Sequence, residues 1–202
     1  MRKGIGISCI ILGFLCILTA VGFVAYNRME ADNGEKDAHS LLQELQAGMD
    51  GAGDMQTDVP VEIGQESLVP QMLTVPVGDY ESIGILSIPV LELELPVLMD
   101  WSYEKLRKAP CHYYGSYYEP DFVIAAHNYA PHFGRLSKLQ AGDLVMFTDV
   151  TGAVYCYEVV LLETLAPTAT KEMITSGFDL SLYTCTPGGA NRVTVRCRTV
   201  HP

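Results

Sequence analysis

Apolar positions divide the chain into three stretches. Residues 4 to 26, GIGISCIILGFLCILTAVGFVAY, carry no charge. At 1.5 Å per residue such a run is long enough to cross a hydrocarbon core of about 30 Å. From Asn27 to Gly78 apolar residues become too sparse for a core, except between Lys36 and Met49, where Leu41, Leu42 and Leu45 share one face of a short predicted helix. From residue 79 onward, short alternating runs are punctuated by Pro, Gly and Asp. Strands are predicted over 83 to 88, 93 to 99, 122 to 127, 143 to 149, 153 to 165, 179 to 185 and 192 to 200, with short helices at 102 to 109, 134 to 139 and 170 to 176. The pattern reads as one mainly β domain, a closed barrel or a sandwich.

Three segments follow from this pattern. Residues 1 to 26 read as a retained N-terminal membrane anchor with a short cytoplasmic end, because a cleaved signal would show a shorter apolar core with a small-x-small site after it. Arg2 and Lys3 precede the span and Arg28 opposes them weakly, so the positive-inside rule leaves the N-terminus in the cytoplasm and the remainder outside. Residues 27 to 78 hold ten acidic side chains against two basic ones and read as an acidic extracellular stalk. The helix within it is expected to be solvated, since isolated helices of that length are marginal in water. Residues 79 to 202 suffice for one domain with its own core. Net charge is +2 over residues 1 to 26, −8 over 27 to 78 and −5 over 79 to 202. A nucleic-acid partner would call for a basic face, and none is present.

Candidate chemistry concentrates in DLSLYTCTPGGANRVTVRCR, Asp179 to Arg198. Leu180 to Thr184 and Arg192 to Arg196 both alternate, and Pro187, Gly188, Gly189 and Asn191 between them are turn residues. If the runs pair antiparallel around loop 186 to 191, Cys185 and Arg192 face each other at its base, backbones roughly 5 Å apart. Arg196 and Arg198 share the parity of Arg192 but lie roughly 13 and 20 Å further along. Arg192 is therefore the cationic partner predicted for a Cys185 nucleophile.

Thiolate chemistry also needs a proton acceptor, and the chain has five histidines. His39 lies in the stalk and His201 beside the last residue. His112 and His132 sit among turn-like or aromatic residues, with His132 and Arg135 read as surface or helix-capping groups and a place on the cleft as the alternative. His127 closes the buried-looking strand Phe122 to Ala126, where a rigidly held imidazole can point into a cleft and favour the thiolate of Cys185.

Taken together, SLYTC (Ser181 to Cys185), the downstream Arg192 and AHN (Ala126 to Asn128) resemble the signature of the sortases, cysteine transpeptidases on the outer face of Gram-positive cells. The family motif is usually written TLxTC. Ser181 departs from it, while Leu182, Thr184 and Cys185 match; Ala126 stands where the family often has glycine. The resemblance covers about residues 79 to 202. It implies a closed eight-stranded sortase-like β-barrel, with His127, Cys185 and Arg192 as catalytic residues and Thr184 at the substrate site beside the nucleophile. It further implies an LPxTG-like sorting signal on secreted proteins as substrate and an amine acceptor in a cell-wall precursor or a pilin lysine. No metal or organic cofactor is required. The acceptor, the exact pentapeptide and the subclass are left open, and a pilin-type lid is not indicated.

Alternatives stand beside this reading. Cys111, Cys156, Cys185 and Cys197 are an even set that an extracellular domain can pair as disulfides. Cys111 is a rival nucleophile, although it and the adjacent His112 point to opposite faces of an extended chain. Individually, His127 fits a satisfied core histidine, Arg192 a sheet-edge ion pair and Cys185 an inert thiol. A secreted cysteine peptidase would use the same residues with water in place of the amine, and a non-catalytic anchored binding module would use none of them.

Overall fold

The structure, a computed structural model, describes residues 2–52 and 70–200. The part of the predicted stalk from 53 to 69, and His201, lie outside the described residues. The chain divides into two compact units, with the boundary between Asn33 and Gly34. Helix α1 (Arg2–Ala52) contains an apolar stretch long enough to cross a membrane, and its side chains Ile10, Phe14, Ile17 and Phe23 are exposed.

The second unit is a β-barrel. Its strands are β1 (Val75–Val77), β2 (Tyr80–Ile88), β3 (Leu93–Leu98), β4 (Cys111–Tyr114), β5 (Phe122–Ala125), β6 (Leu144–Asp149), β7 (Val154–Leu165), β8 (Leu180–Cys185) and β9 (Arg192–Thr199). Eight of them form a ring in the order β2-β3-β4-β5-β8-β9-β7-β6, closed by pairing of β6 back onto β2, and β1 extends the start of β2. The β3–β4 and β5–β8 pairings are parallel and the rest antiparallel. Gly84 sits at the closing seam, where a Cβ would lie 2.1 Å from the Thr148 carbonyl oxygen. Only glycine lets β2 and β6 approach so closely there.

Ile88, Val97, Ile124, Phe147, Leu182 and Val195 are among the side chains that fill the barrel interior. A second cluster lies outside the wall, where Leu41, Leu42 and Leu45 of α1 cover Val77, Ile85, Leu98, Cys111 and Val150. With Ala38 they recur at i, i+3, i+4 and i+7, the stripe of a helix packed on a surface. The sequence reading had this helix solvated. It is instead docked on the barrel, because it covers apolar outward positions of β2, β3 and β4 that no local pattern reveals. Each buried leucine contributes about 1.5–3 kcal/mol on area grounds.

The predicted strands recur with small shifts, and β1 and β4 are additions. The predicted helices near 102 and 170 are α2 (Tyr103–Lys108) and α3 (Thr170–Ile174). Ser102 caps α2 by accepting from the Lys105 amide. The helix expected over 134 to 139 is a single 3₁₀ turn, Leu136–Lys138, too short to bury a face.

Candidate active site

The β8–β9 hairpin is built as its residues dictate. The Thr186 amide donates to the Asn191 carbonyl at 2.9 Å and the Asn191 amide to Thr186 Oγ1 at 3.0 Å, closing the loop, and Gly188 and Gly189 take φ of +81° and +76° between them. The register then pairs Cys185 with Arg192 directly. Both line a cleft of about 200 Å³ on the outer face of the barrel, walled by Trp101, Tyr113, Tyr183 and Met173. Alternation explains the placement. Leu180 and Leu182 point into the core, whereas Tyr183 and Cys185 face the cleft.

The Arg192 guanidinium donates from Nη1 to the carbonyls of Gly189 and Asn191, 3.1 Å each. It is thus held at the loop mouth, across from the thiol, on acceptors that belong to the loop itself. A cationic donor opposite a partly exposed thiol suits an anion developing between them.

His127 lies beyond β5 rather than closing it, since the strand ends at Ala125. The parallel ladder runs Phe122↔Leu180 to Ala125↔Tyr183, and the Ala126 amide still donates to the Tyr183 carbonyl at 3.2 Å. His127 follows past the end of that ladder, and the residues lining the cleft with Cys185 and Arg192 reach Ala126 but do not include His127. The cleft wall includes Ala126, and the imidazole of His127 stacks on Tyr129 with centroids 3.9 Å apart.

Thr184 was expected to touch substrate. Its side chain is buried, facing away from the cleft, and donates to the Ala126 carbonyl at 2.9 Å. Its place is therefore to couple the strand of Cys185 to that of His127. His132 and Arg135 also differ from expectation. His132 is fully buried, with Nε2 3.2 Å from the Gly34 carbonyl of α1, and burial holds its pKa down at about 4. Arg135 donates to the Ala130 carbonyl at 3.1 Å, inside its own loop.

The rival thiols are unsuited to attack. Cys111 and Cys197 are fully buried, and desolvation pushes each thiol up to about 12. Cys111, Cys156, Cys185 and Cys197 are all free, so the disulfide alternative is set aside for this domain. His112 has Met99 and Gly115 carbonyls 3.0 and 2.8 Å from its two ring nitrogens and is engaged on both sides. Among the described residues no cluster of three or more His, Cys, Asp or Glu is placed to hold a metal ion.

One contributor was missed. Arg196, only 1% exposed, bonds Glu163 (2.7 Å), the Ser181 hydroxyl (2.7 Å) and the Glu172 carbonyl (2.8 Å). It anchors α3, whose Thr170 and Met173 line the cleft. Its signal in the sequence is the parity it shares with Arg192, and the structure pairs it with Ser181.

Comparison with known proteins bears on this geometry. A family model described as "Sortase domain" matches residues 86–200. No curated protein matches the chain. Among solved structures, sortase A from Corynebacterium diphtheriae aligns over 61% of this chain and 63% of its own, at 24% identity and a TM-score of 0.55. The chain thus spans less than two thirds of that relative. Sortase C1 from Streptococcus agalactiae aligns at 27% identity and a TM-score of 0.54, over 60% of this chain and 68% of its own. Sortase C1 from Streptococcus suis aligns at 30% identity and a TM-score of 0.54, over 61% and 75%.

Proposed function

The chain belongs to the sortase family, and from that premise we propose that it is a membrane-anchored cysteine transpeptidase acting on sorting signals of secreted proteins. The observation that carries the reading is the direct pairing of Cys185 with Arg192 on the wall of one cleft. In the proposed reaction, the Cys185 thiolate attacks the scissile carbonyl of an LPxTG-like segment, and the carbonyl oxygen takes the negative charge. Arg192 exchanges its loop carbonyls for that oxyanion or for the substrate backbone. His127 protonates the departing amine as the C–N bond breaks, leaving a thioester on Cys185. An incoming amine then gives its proton to His127, attacks the thioester, and Cys185 leaves as thiolate.

The walls fit such a substrate. Trp101, Tyr113 and Tyr183 present apolar faces beside the thiol, and the segment 166 to 178, which includes α3, contributes Ala166, Pro167 and Met173. An extended peptide with apolar residues ahead of its scissile bond matches that surface. Arg2 and Lys3 ahead of the apolar stretch support an orientation with the N-terminus in the cytoplasm and the barrel outside, where substrates would pass. The acceptor is an amine of a cell-wall precursor or of a pilin lysine.

The test is mass spectrometry of the full chain in detergent micelles with a library of sorting peptides, with and without a small amine. A thioacyl adduct on Cys185 that passes to the amine is expected, absent in Cys185→Ala. Arg192→Ala should acylate about 10²- to 10³-fold more slowly, the usual loss for one oxyanion donor. Release of free acid at the same rate with amine present would instead make the protein a peptidase.

A further inference from the structure

Helix α1 bears on the histidine loop through one aromatic ring. Tyr129 stacks on His127 with ring planes 18° apart and is itself buried. At Gly34 the helix backbone lies against that phenol. A Cβ on Gly34 would stand 3.0 and 3.2 Å from two ring carbons of Tyr129 and 2.9 Å from the Arg107 carbonyl oxygen. Glycine is among the poorest helix formers, and the contact gives the reason for one here.

Neighbouring contacts fix the same turn of helix. The Gly34 carbonyl lies 3.2 Å from His132 Nε2, and Asp37 pairs with Lys108 at 2.8 Å. The loop is also closed on itself. The Phe133 amide donates to the His127 carbonyl at 3.2 Å, and the amides of His132 and Gly134 donate to the Tyr129 carbonyl at 3.0 and 2.8 Å. Gly134 admits no side chain, since its Cβ would be 2.5 Å from the Asn128 carbonyl oxygen. Tyr129 is therefore held from both the loop and the helix.

We infer that Tyr129 is a positioning residue for His127, and that the turn of α1 at Gly34, by seating Tyr129, belongs to the catalytic unit. The inference rests on the role proposed above for His127. A histidine ring turns freely about its outer torsion unless something fixes its plane. The stack fixes that plane, and proton transfer to a leaving amine depends on it. A displacement of about 1 Å at a reacting group costs up to about 10²-fold in rate.

The experiment uses the full chain in detergent micelles, measuring transpeptidation and the ¹H–¹³C spectrum of labelled histidine. Tyr129→Phe keeps the stack and should match wild type. Tyr129→Leu should lower kcat by about 10- to 10²-fold with KM within about twofold, since positioning acts on the transition state. Gly34→Val should lower kcat in the same way without touching the loop sequence, whereas Gln46→Ala, elsewhere on the helix, should not. In Tyr129→Leu and in Gly34→Val the ring-current shift that Tyr129 imposes on the His127 ring protons should disappear. The inference is overturned by wild-type kcat in Tyr129→Leu once that shift is lost, or by a shift unchanged in Gly34→Val. A fully active His127→Ala would instead remove the proposed function of His127. If Tyr129→Leu fails to fold, Gly34→Val and the spectrum decide.

Discussion

The hydroxyl of Thr184 donates to the carbonyl of Ala126 at 2.9 Å, joining the residue before the thiol to the residue before the imidazole. The bond is buried and lies just past the last ladder pair, Ala125↔Tyr183. Where the parallel pairing of β5 and β8 gives out, this side chain continues it by one step. A hydroxyl that faces away from the cleft thus ties the chain just before Cys185 to the chain just before His127.

Replacing that hydroxyl by a methyl tests the coupling. Thr184→Val keeps the shape and leaves the Ala126 carbonyl without its donor, at a cost of about 1–3 kcal/mol. Urea unfolding should register this loss, and single-turnover acylation of Cys185 should slow. Thr184→Ser should restore both. An acylation rate unchanged in Thr184→Val would mean that the backbone alone sets the spacing.

Alkylation should separate the thiols of the barrel. At neutral pH, peptide mapping after iodoacetamide should find label on Cys185 and Cys156, with Cys111 and Cys197 protected in the folded state. The two buried thiols also make the fold sensitive to alkali. Each rises from the ordinary 9.0 to about 12, chiefly because burial disfavours the thiolate. Between those values the folded chain keeps protons that the unfolded chain has lost. Stability is thus full below pH 9 and falls above it, by about 1.4 kcal/mol per pH unit for each thiol. Cys111→Ala should shift the onset of alkaline unfolding upward in a circular dichroism titration, after its packing loss at pH 7 is subtracted.

His132 gives the opposite dependence at low pH. Burial lowers its pKa from 6.5 to about 4, with His127 adding to the effect and the Gly34 carbonyl and Asp37 opposing it. Below 6.5 the unfolded chain takes up a proton that the folded chain refuses, so stability falls as pH drops toward 4. The strain falls where His132 meets α1 at Gly34. Hydrogen exchange of residues 34–52 should quicken from pH 6.5 to 4, and His132→Gln should flatten that dependence.

The hairpin was legible because its chemistry is local. Alternation in Leu180 to Thr184 and Arg192 to Arg196, with glycines between, fixes a register that leaves Cys185 and Arg192 opposite each other. The strands of the barrel were legible for the same reason. What was not legible is non-local. Leu41, Leu42 and Leu45 were placed on one face from their spacing, but their cover is Ile85 and Leu98, forty or more residues away. β4 was missed because a run of only four residues, CHYY, offers almost no period to read. His132 looked like a turn residue because nothing in sequence shows that α1 returns to bury it.

Ser181 is where the chain departs from the family's TLxTC, and its surroundings show what the position requires. Its hydroxyl accepts from Arg196 Nη1 at 2.7 Å, while the other donors of that guanidinium reach Glu163 Oε1 and the Glu172 and Met173 carbonyls. A buried cation needs every one of these acceptors. Serine and threonine both supply the hydroxyl, so Ser181→Thr should fold and turn over nearly as wild type. Ser181→Ala should cost about 1–3 kcal/mol, as a donor on a buried charge loses its partner. Arg196→Lys keeps the charge but not the planar fork that spans β7, β8 and α3. Its loss should appear in KM more than in kcat, because α3 supplies Thr170 and Met173 to the cleft and not the reacting atoms. Steady-state kinetics on Arg196→Lys decide this, and a fall in kcat at constant KM would place Arg196 closer to the chemistry than its burial suggests.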